Sequence, residues 1–117
     1  MWRVSATTPK NLSFVGSAKE SISQFPKDVR QDAGHQLWRV QKGLNPTKWK
    51  PFESAGAGAK EIILDDGEGW YRVIYVAKFG EVVYVLHAFQ KKTNKTSKGD
   101  VDAAERAYKA VLRQRGK

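Results

Sequence analysis

The residues best suited to chemistry in this chain are cations on two neighbouring strand-like segments. Arg72 lies in the segment 70–78, His87 lies in the segment 81–89, and Lys91 follows directly. Arginine can bind a phosphate through two N–H groups and can stabilise negative charge that develops in a transition state. A lysine or an imidazole crowded by other cations has a pKa nearer neutrality and can then move protons. These residue types suit a phosphodiester, and cleavage of RNA through its own 2′-OH needs them and no metal.

A turn at Phe79-Gly80 predicts how the two segments pair. With these two residues at the tip, Lys78 faces Glu81, and the same register places Arg72 opposite His87. The alternation of side chains along a strand then puts Arg72, His87 and Lys91 on one face of the sheet. The residues predicted on the other face are Tyr71, Val73, Tyr75, Tyr84 and Leu86. A three-residue loop would shift this register.

The same residues also have ordinary structural interpretations. A histidine on a strand is more often packed or hydrogen-bonded than catalytic. Arg72 has three acids in the preceding turn as alternative partners, namely Asp65, Asp66 and Glu68. Turn formation explains Asp65 and Asp66 better than paired-carboxylate catalysis does. Pattern and charge alone therefore indicate a basic binding module.

Aromatic residues beside these cations suggest a second way of contacting nucleic acid. Trp49, Trp70 and Phe89 can stack on bases. For Trp70 and Phe89, packing in the core or on a sheet face is the simpler interpretation. The aromatic residues therefore leave both a nucleic-acid surface and a structural role open.

The composition favours a polyanionic partner. The chain has 117 residues, with 21 Lys and Arg against 12 Asp and Glu, and a formal net charge of +9. Such an excess on one small domain points to nucleic acid, a ribosome or an acidic protein. The densest cationic run comprises Lys91, Lys92, Lys95 and Lys98, and it follows directly on the most apolar segment. A solvated loop is the plain interpretation of such a run, but this position ties it to a rigid element.

Several other classes are excluded by what the sequence lacks. Cys is absent, which removes disulfides, thiolate metal sites and cysteine nucleophiles. The two histidines lie on different predicted elements, so no metal site is expected, and no glycine-rich phosphate or dinucleotide motif is present. No apolar window is long enough to span a membrane, and residues 1–10 contain no signal-peptide core. We therefore expect a cytoplasmic protein without a metal, a small-molecule cofactor or a membrane partner.

The N-terminal part predicts a strand followed by two helices. Residues 1–10 are expected to form an extension, and residues 11–117 a single domain. Residues 11–15 form a candidate strand, and Ser17 to Glu20 is typical of a capping box. Pro26 suits the first turn of a second helix that ends near Gly43. The apolar stripe of this helix consists of Phe25, Val29, Ala33, Leu37 and Val40.

The remaining part predicts three strands and a helix. Residues 45–59 are expected to be a loop, and the strand-like runs 60–64, 70–78 and 81–89 are separated by short turns. Short connections imply an antiparallel meander. Asp100 is the predicted cap of a final helix with an apolar face that includes Tyr108. The order β-α-α-β-β-β-α describes an α+β domain with helices packed on an antiparallel sheet.

An ordered set of short segments resembles the RelE/ParE toxin superfamily, in particular its HigB-like, phage-derived branch of type II toxin–antitoxin systems. The segments are Phe14–Lys19, Gln24–Arg30, Leu37–Gly43, Lys50–Phe52, Glu61-Ile62, Tyr71–Tyr75, Val83–Lys92, Thr96–Asp100 and Ala104–Arg106. They cover about residues 11–110 in the family's order. The resemblance implies a RelE-like fold.

The resemblance also implies an activity and partners. Members of the RelE and HigB branches enter the ribosomal A site and cleave mRNA without a metal, and an antitoxin holds them inactive. The expected partners are therefore a cognate antitoxin, which we expect to be a small helix-turn-helix protein, and the ribosome with its mRNA. Arg72 in Tyr-Arg-x-x-Tyr matches an active-site arginine of the family, and Lys91 matches another basic catalytic position. Lys50 and Lys92 fall at positions that are commonly basic.

Two departures from the RelE branch bear on the proton-transfer groups. Glu61 and Ile63 stand where that branch carries lysines. Glu61 is a candidate base, as a carboxylate is in some HigB-like members, and His87 is a second candidate. The catalytic tyrosine of the RelE type has no clear counterpart, since Tyr108 lies on the apolar stripe of the last helix.

The sequence therefore predicts catalytic and RNA-binding residues and leaves alternative functions open. The predicted catalytic residues are Arg72, Lys91, His87 and Glu61, and the predicted RNA-binding residues are Lys48, Lys50, Lys92 and Lys95. One alternative is a non-enzymatic inhibitor of DNA gyrase, as in the ParE branch. Another is a catalytically weakened prophage protein that only binds its antitoxin or nucleic acid.

Overall fold

A computed structural model describes residues 8–116 of the chain. Its elements are β1 (Asn11–Phe14), α1 (Ala18–Ser23), α2 (Lys27–Gln41), β2 (Trp49–Pro51), β3 (Lys60–Asp65), β4 (Trp70–Phe79), β5 (Val82–Lys91) and α3 (Lys98–Gln114). Most of the expected N-terminal extension, residues 1–7, lies outside the described residues. Within the described range, no helix is long and apolar enough to cross a membrane.

The five strands form one sheet in the order β1-β5-β4-β3-β2. β5, β4, β3 and β2 are antiparallel neighbours, whereas β1 pairs with β5 in parallel. A parallel pair needs a long connection, and the intervening elements α1 to β4 supply it. The predicted α+β class is confirmed, with β1 making the sheet mixed.

The predicted loop 45–59 contains a short strand, so that part of the prediction is wrong. β2 pairs with β3 through Trp49 opposite Ile62, Lys50 opposite Glu61 and Pro51 opposite Lys60. Because β2 is an edge strand, it tolerates a proline that lacks a backbone N–H. The strand therefore places Lys50 directly beside Glu61.

Helices cover both faces of the sheet. α1 and α2 pack on one face through a cluster that includes Val29, Ala33 and Leu37 of α2 and Val73 of β4. α3 packs on the other face, where Tyr108 belongs to the second cluster. Because both faces are covered, residues 71–76 of β4 are buried continuously.

The helix ends differ from the predicted caps at three points. Ser17 precedes α1 but makes no side-chain capping hydrogen bond, and Pro26 is the N-cap of α2 rather than a residue of its first turn. Ser97, not Asp100, caps α3, because the Ser97 Oγ accepts a hydrogen bond from the Asp100 backbone N–H at 3.1 Å. Gly43 has φ +86° and follows the C-terminal end of α2, as predicted for the residue that ends this helix. The Ser97 Oγ also donates to the Asp100 Oδ2 at 2.8 Å, which leaves the Asp100 Oδ1 for another contact.

The predicted register between β4 and β5 is wrong. Arg72 lies opposite Phe89, not His87, and Phe79 pairs with Val82, so the tip of the hairpin is Gly80-Glu81. Gly80 has φ +64°, and glycine at the first tip position is what a tight hairpin turn favours. The turn therefore lies one residue later than Phe79-Gly80.

Irregularities in this hairpin change which faces some residues share. Register shifts occur between Ile74 and Tyr75 and between Val76 and Phe79. Tyr84 and Leu86 consequently belong to the cluster under α3, and not to the face predicted for them. His87 lies opposite Ile74 and Lys91 lies opposite Trp70. Trp70, Arg72 and Ile74 are every second residue of β4, so their side chains share one face of the sheet. Their cross-strand partners share that face, so Arg72, His87 and Lys91 lie on the same face as predicted.

Candidate functional site

A concavity of about 410 Å³ opens at the end of the sheet where β4 begins and β5 ends. We call it the basic concavity, and its lining residues are Lys50, Trp70, Arg72, Lys91, Lys92, Thr93 and Asn94. These residues come from β2, β4, β5 and the loop after β5. Sheet pairing therefore brings together cations that are distant in sequence.

Arg72 is the buried cation of this site, and Glu61 holds it. The Arg72 Nε donates a hydrogen bond to Oε1 of Glu61 at 3.1 Å, and its Nη1 donates to the Tyr71 carbonyl at 3.1 Å. The exposed fractions of the two side chains are 10% for Arg72 and 1% for Glu61. Burial of either charge alone would be costly, whereas a paired and hydrogen-bonded guanidinium is tolerated. A guanidinium has five N–H donors, so donors beyond these two contacts can serve a ligand.

The acidic turn between β3 and β4 does not supply the partner of Arg72. The Asp65 Oδ1 accepts the Gly67 backbone N–H, and the Asp66 Oδ1 accepts those of Glu68 and Gly69. These backbone hydrogen bonds hold the pKa of Asp66 below its ordinary value. The alternative pairing of Arg72 with the turn is therefore wrong, and the turn carboxylates stabilise the turn itself.

Two lysines complete the charge distribution around Glu61 and Arg72. The Lys50 Nζ lies 3.7 Å from the Glu61 Oε1, and 55% of its side chain is exposed. Partial burial and the nearby Arg72 charge lower the pKa of Lys91, Lys50 lowers it further, and Glu61 opposes the shift. Lys91 therefore gives up its proton more readily than an ordinary lysine. Three cations share one carboxylate, which leaves a net positive site for an anion.

The structure places His87 on the same face as Arg72 but not in the basic concavity. The His87 Nε2 and the Asp100 Oδ1 are hydrogen-bonded at 2.8 Å, and the imidazole stacks on Phe89 with ring centroids 5.4 Å apart. The hydrogen bond attaches β5 to the first turn of α3, whereas the ring stack lies within β5. A proton-transfer role for His87 stays a prediction.

The other predicted RNA-binding lysines line three different hollows of the surface. Lys92 lines the basic concavity, and Lys95 lines an adjoining hollow together with Lys91 and Lys92. Lys48 lies just before β2 and lines a separate hollow that also contains Asp32 and Asp65. The structure therefore brings Lys50, Lys91 and Lys92 to Arg72 and places Lys48 apart from them.

Trp70 lines the basic concavity, although the sequence favoured packing for it. Half of the residue is exposed, with a relative accessibility of 50%, and the Arg72 Cζ lies 5.9 Å from the centroid of its ring. Phe89 is buried as expected, and the Lys60 Nζ covers the Trp49 ring at 4.5 Å. Of the two residues expected to pack in the core or on a sheet face, Phe89 is buried, whereas Trp70 lies on a sheet face with half of its surface exposed.

The lining residues Thr93 and Asn94 also escaped sequence analysis. They follow Lys91 and Lys92 in the loop after β5, and no residue type or spacing in that loop distinguishes them. In residues 8–116, no group of three or more His, Cys, Asp or Glu side chains is arranged to hold a metal ion.

A mixed five-stranded sheet, covered by a helical hairpin on one face and by a C-terminal helix on the other, defines a small RelE-like α+β protein. One solved structure with this fold is the free state of an Escherichia coli RelE toxin in which two arginines are replaced by alanine. It aligns with a TM-score of 0.57 and 17% sequence identity, over 89% of this chain and 99% of that chain. A comparison with curated proteins finds no match.

Residues 20–109 match the family described as phage-derived protein Gp49-like. The chain therefore belongs to this phage-derived family, which is a RelE-like toxin family.

Proposed function

We propose that this toxin is an endoribonuclease that cleaves mRNA on the ribosome without a metal and is held inactive by a cognate antitoxin. The observation that carries the proposal is the arrangement of Lys50, Arg72 and Lys91 around the basic concavity, with Arg72 fixed by the buried Glu61. A fixed guanidinium between two ammonium groups suits a phosphodiester, since charge develops on the phosphate oxygens in the transition state.

Each residue has a distinct role in this reaction. Arg72 binds the non-bridging phosphate oxygens while the 2′ oxygen attacks phosphorus, and the 2′ proton passes to solvent. The bond from phosphorus to the 5′ oxygen breaks, which leaves a 2′,3′-cyclic phosphate and a 5′-OH. Lys91, whose pKa is lowered by partial burial and by Arg72, donates its proton to the departing 5′ oxygen. Lys50 attracts the RNA backbone.

Glu61 has a positioning role in this proposal. Its carboxylate is buried and faces both Arg72 and Lys50, so it holds the guanidinium where a phosphate can reach it. A base that accepts the 2′ proton needs access to the reacting atoms. The surroundings of Glu61 favour orientation of Arg72 over proton transfer.

We propose that the antitoxin covers the basic concavity. The chain carries a net charge of +9, so acidic side chains on a partner would accelerate association and add specificity. We expect the partner to be a small helix-turn-helix protein encoded beside the toxin.

The decisive experiment compares message cleavage by the wild type with that by an Arg72→Ala/Lys91→Ala variant. Both are induced without antitoxin, and message ends and DNA supercoiling are measured in the same cells. The matched control is Arg106→Ala/Lys109→Ala, which removes the same charge from exposed positions on α3. We expect new message ends and growth arrest with the wild type and the control, and neither with the site variant.

Three results would contradict the proposal in different ways. Full arrest and full cleavage by the site variant would remove Arg72 and Lys91 from the reaction. Intact messages together with blocked gyrase in the wild type would instead favour a ParE-like inhibitor. A wild type that neither arrests growth nor cuts message would indicate a protein that only binds its partners.

A further inference from the structure

Trp70 is an exposed aromatic residue that the proposed chemistry does not use. The large apolar side chains left exposed in residues 8–116 are Trp38, Leu44 and Trp70. Of these, Trp70 lines the basic concavity. A large apolar surface in solvent is unfavourable, and its placement in a charged hollow points to a ligand with both an anionic and an apolar part.

The position of Trp70 relative to the cations is fixed by the sheet. Trp70 and Lys91 are direct cross-strand partners, so their side chains rise next to each other on one face. Arg72 lies two residues along the same strand and therefore on the same face, roughly 7 Å away along the strand. The Arg72 guanidinium lies 5.9 Å from the Trp70 ring centroid. The indole thus stands beside the phosphate-binding groups, with half of its surface open.

We propose that Trp70 stacks on an unpaired base of the RNA strand whose phosphate lies against Arg72 and Lys91. Base stacking on an aromatic side chain combined with backbone contacts to cations is how single-stranded nucleic acid is bound without a fixed sequence. Bases in a duplex are stacked on one another, so the open indole face selects single-stranded RNA. This inference rests on the proposed function, because it names the substrate form that the same site takes.

The chemistry of the surroundings favours a nucleotide over a protein segment. The other lining residues are charged or polar, namely Lys50, Arg72, Lys91, Lys92, Thr93 and Asn94. A docked amphipathic helix needs an apolar groove, and one indole does not make a groove. Trp70 has Lys91 of β5 on one side and Asp65 of β3 on the other. The negative charge of Asp65 repels a polyanion, which favours a phosphate on the Lys91 side.

The test measures the binding of a fluorescein-labelled, fully 2′-O-methylated RNA oligonucleotide to the full chain. The methyl group blocks the 2′ nucleophile, so binding is measured without cleavage. We expect wild-type protein to bind the single strand more tightly than the same strand annealed to its complement. Trp70→Ala should weaken single-strand binding by about 5- to 100-fold, and Trp70→Phe should retain most of it.

Two controls separate stacking from charge and from folding. Trp38→Ala removes a tryptophan of similar exposure, 44% against 50%, from α2 and should leave the affinity unchanged. Lys91→Ala should lower the slope of log affinity against log salt by about one, whereas Trp70→Ala should leave that slope unchanged. Thermal unfolding of each variant verifies that it is folded.

The inference is overturned by equal affinity of Trp70→Ala and wild type, by equal affinity for single strand and duplex, or by no binding to the single strand. None of these results bears on whether induced wild-type protein cuts messages and arrests growth, which tests the proposed function separately. If Trp70→Ala loses affinity for a purified antitoxin but not for RNA, the residue serves the protein partner instead.

Discussion

The Arg72 Nε lies 3.1 Å from the Glu61 Oε1, in an ion pair that runs diagonally between β4 and β3. Arg72 lies opposite Ile63 in the register, whereas Glu61 lies opposite Ile74. The long arginine side chain therefore reaches its partner two residues along the neighbouring strand from the residue directly opposite. This reach pairs the guanidinium, which lines the basic concavity, with a carboxylate that is itself buried.

Removal of the Glu61 charge should destabilise the fold. In Glu61→Gln, the buried guanidinium keeps a hydrogen-bond acceptor but loses its counter-charge. We expect the free energy of unfolding to fall by about 2 kcal/mol, measured by urea denaturation. Glu53→Gln, at an exposed position, should leave it unchanged. Equal stability of Glu61→Gln and wild type would show that the ion pair does not stabilise the fold.

A double variant separates stability from binding. Replacement of a buried ion pair by apolar residues of similar size is often neutral, so Glu61→Leu/Arg72→Met should recover most of the lost stability. Affinity for an RNA oligonucleotide should remain low, because no guanidinium is restored. Recovery of both properties would mean that Arg72 does not bind the phosphate.

The sequence predicted the cations of the site but not the partner of Arg72. Alternation along the strands was sufficient to put Arg72 and Lys91 on one face. The sequence indicates Glu61 as a candidate base but not as this partner, because a diagonal contact between strands depends on a register that spacing alone does not reveal. The acids nearest in sequence, such as Asp65, bond to the backbone of their own turn.

The elements that escaped prediction depend on tertiary contacts. β2 has three residues and ends in Pro51, so it lacks the periodicity of a strand and forms only because the β3 edge pairs with it. The hairpin turn was displaced by one residue, because Gly80 takes the first tip position. Residue type predicts that Trp70 packs in the core or on a sheet face, but it does not reveal that half of the residue is exposed.

Lys91 should lower the free energy of unfolding, although the proposed cleavage reaction needs it. Burial and Arg72 lower its pKa below the ordinary lysine value, so the folded state favours the neutral amine. Wherever Lys91 is protonated in both the folded and the unfolded state, its charge opposes folding. Lys91→Gln should therefore raise the free energy of unfolding by up to about 0.5 kcal/mol and abolish message cleavage.

The contribution of Lys91 to the free energy of unfolding should become more favourable as pH rises. As pH rises through the lowered pKa of folded Lys91 towards the unfolded value, the unfolded state binds more protons, and wild-type stability increases. This contribution should be missing in Lys91→Gln and present in Lys95→Gln, an exposed position. Urea denaturation at pH 7 to 10 measures it, and parallel curves for all three proteins would contradict the assignment.

His87 is expected to attach α3 to the sheet. Loss of its 2.8 Å hydrogen bond to Asp100 in His87→Ala should lower the free energy of unfolding by about 1–2 kcal/mol. We expect cleavage per folded molecule to persist, because the imidazole does not line the basic concavity. Loss of cleavage at unchanged stability would instead support the sequence prediction that His87 transfers a proton.

Gly56 should be essential for the packing of α3 on the loop after β2. A Cβ at Gly56 would lie 2.5 Å from Cδ2 of the Tyr108 ring, and the Tyr108 hydroxyl donates to the Ala57 carbonyl at 2.6 Å. The ring is buried and held at its far end, so it cannot move aside without losing that hydrogen bond. Gly56→Ala should therefore lower the free energy of unfolding by about 1–3 kcal/mol.

Gly34 provides the matched control for this substitution. It lies inside α2, and a Cβ there meets no atom within 4 Å. Gly34→Ala should raise the free energy of unfolding by roughly 0.5–1 kcal/mol, because alanine restricts the unfolded chain and favours the helix. Urea denaturation of both variants should thus give shifts of opposite sign. A shift of the same sign in both would mean that the contact between Gly56 and Tyr108 does not limit the packing of α3.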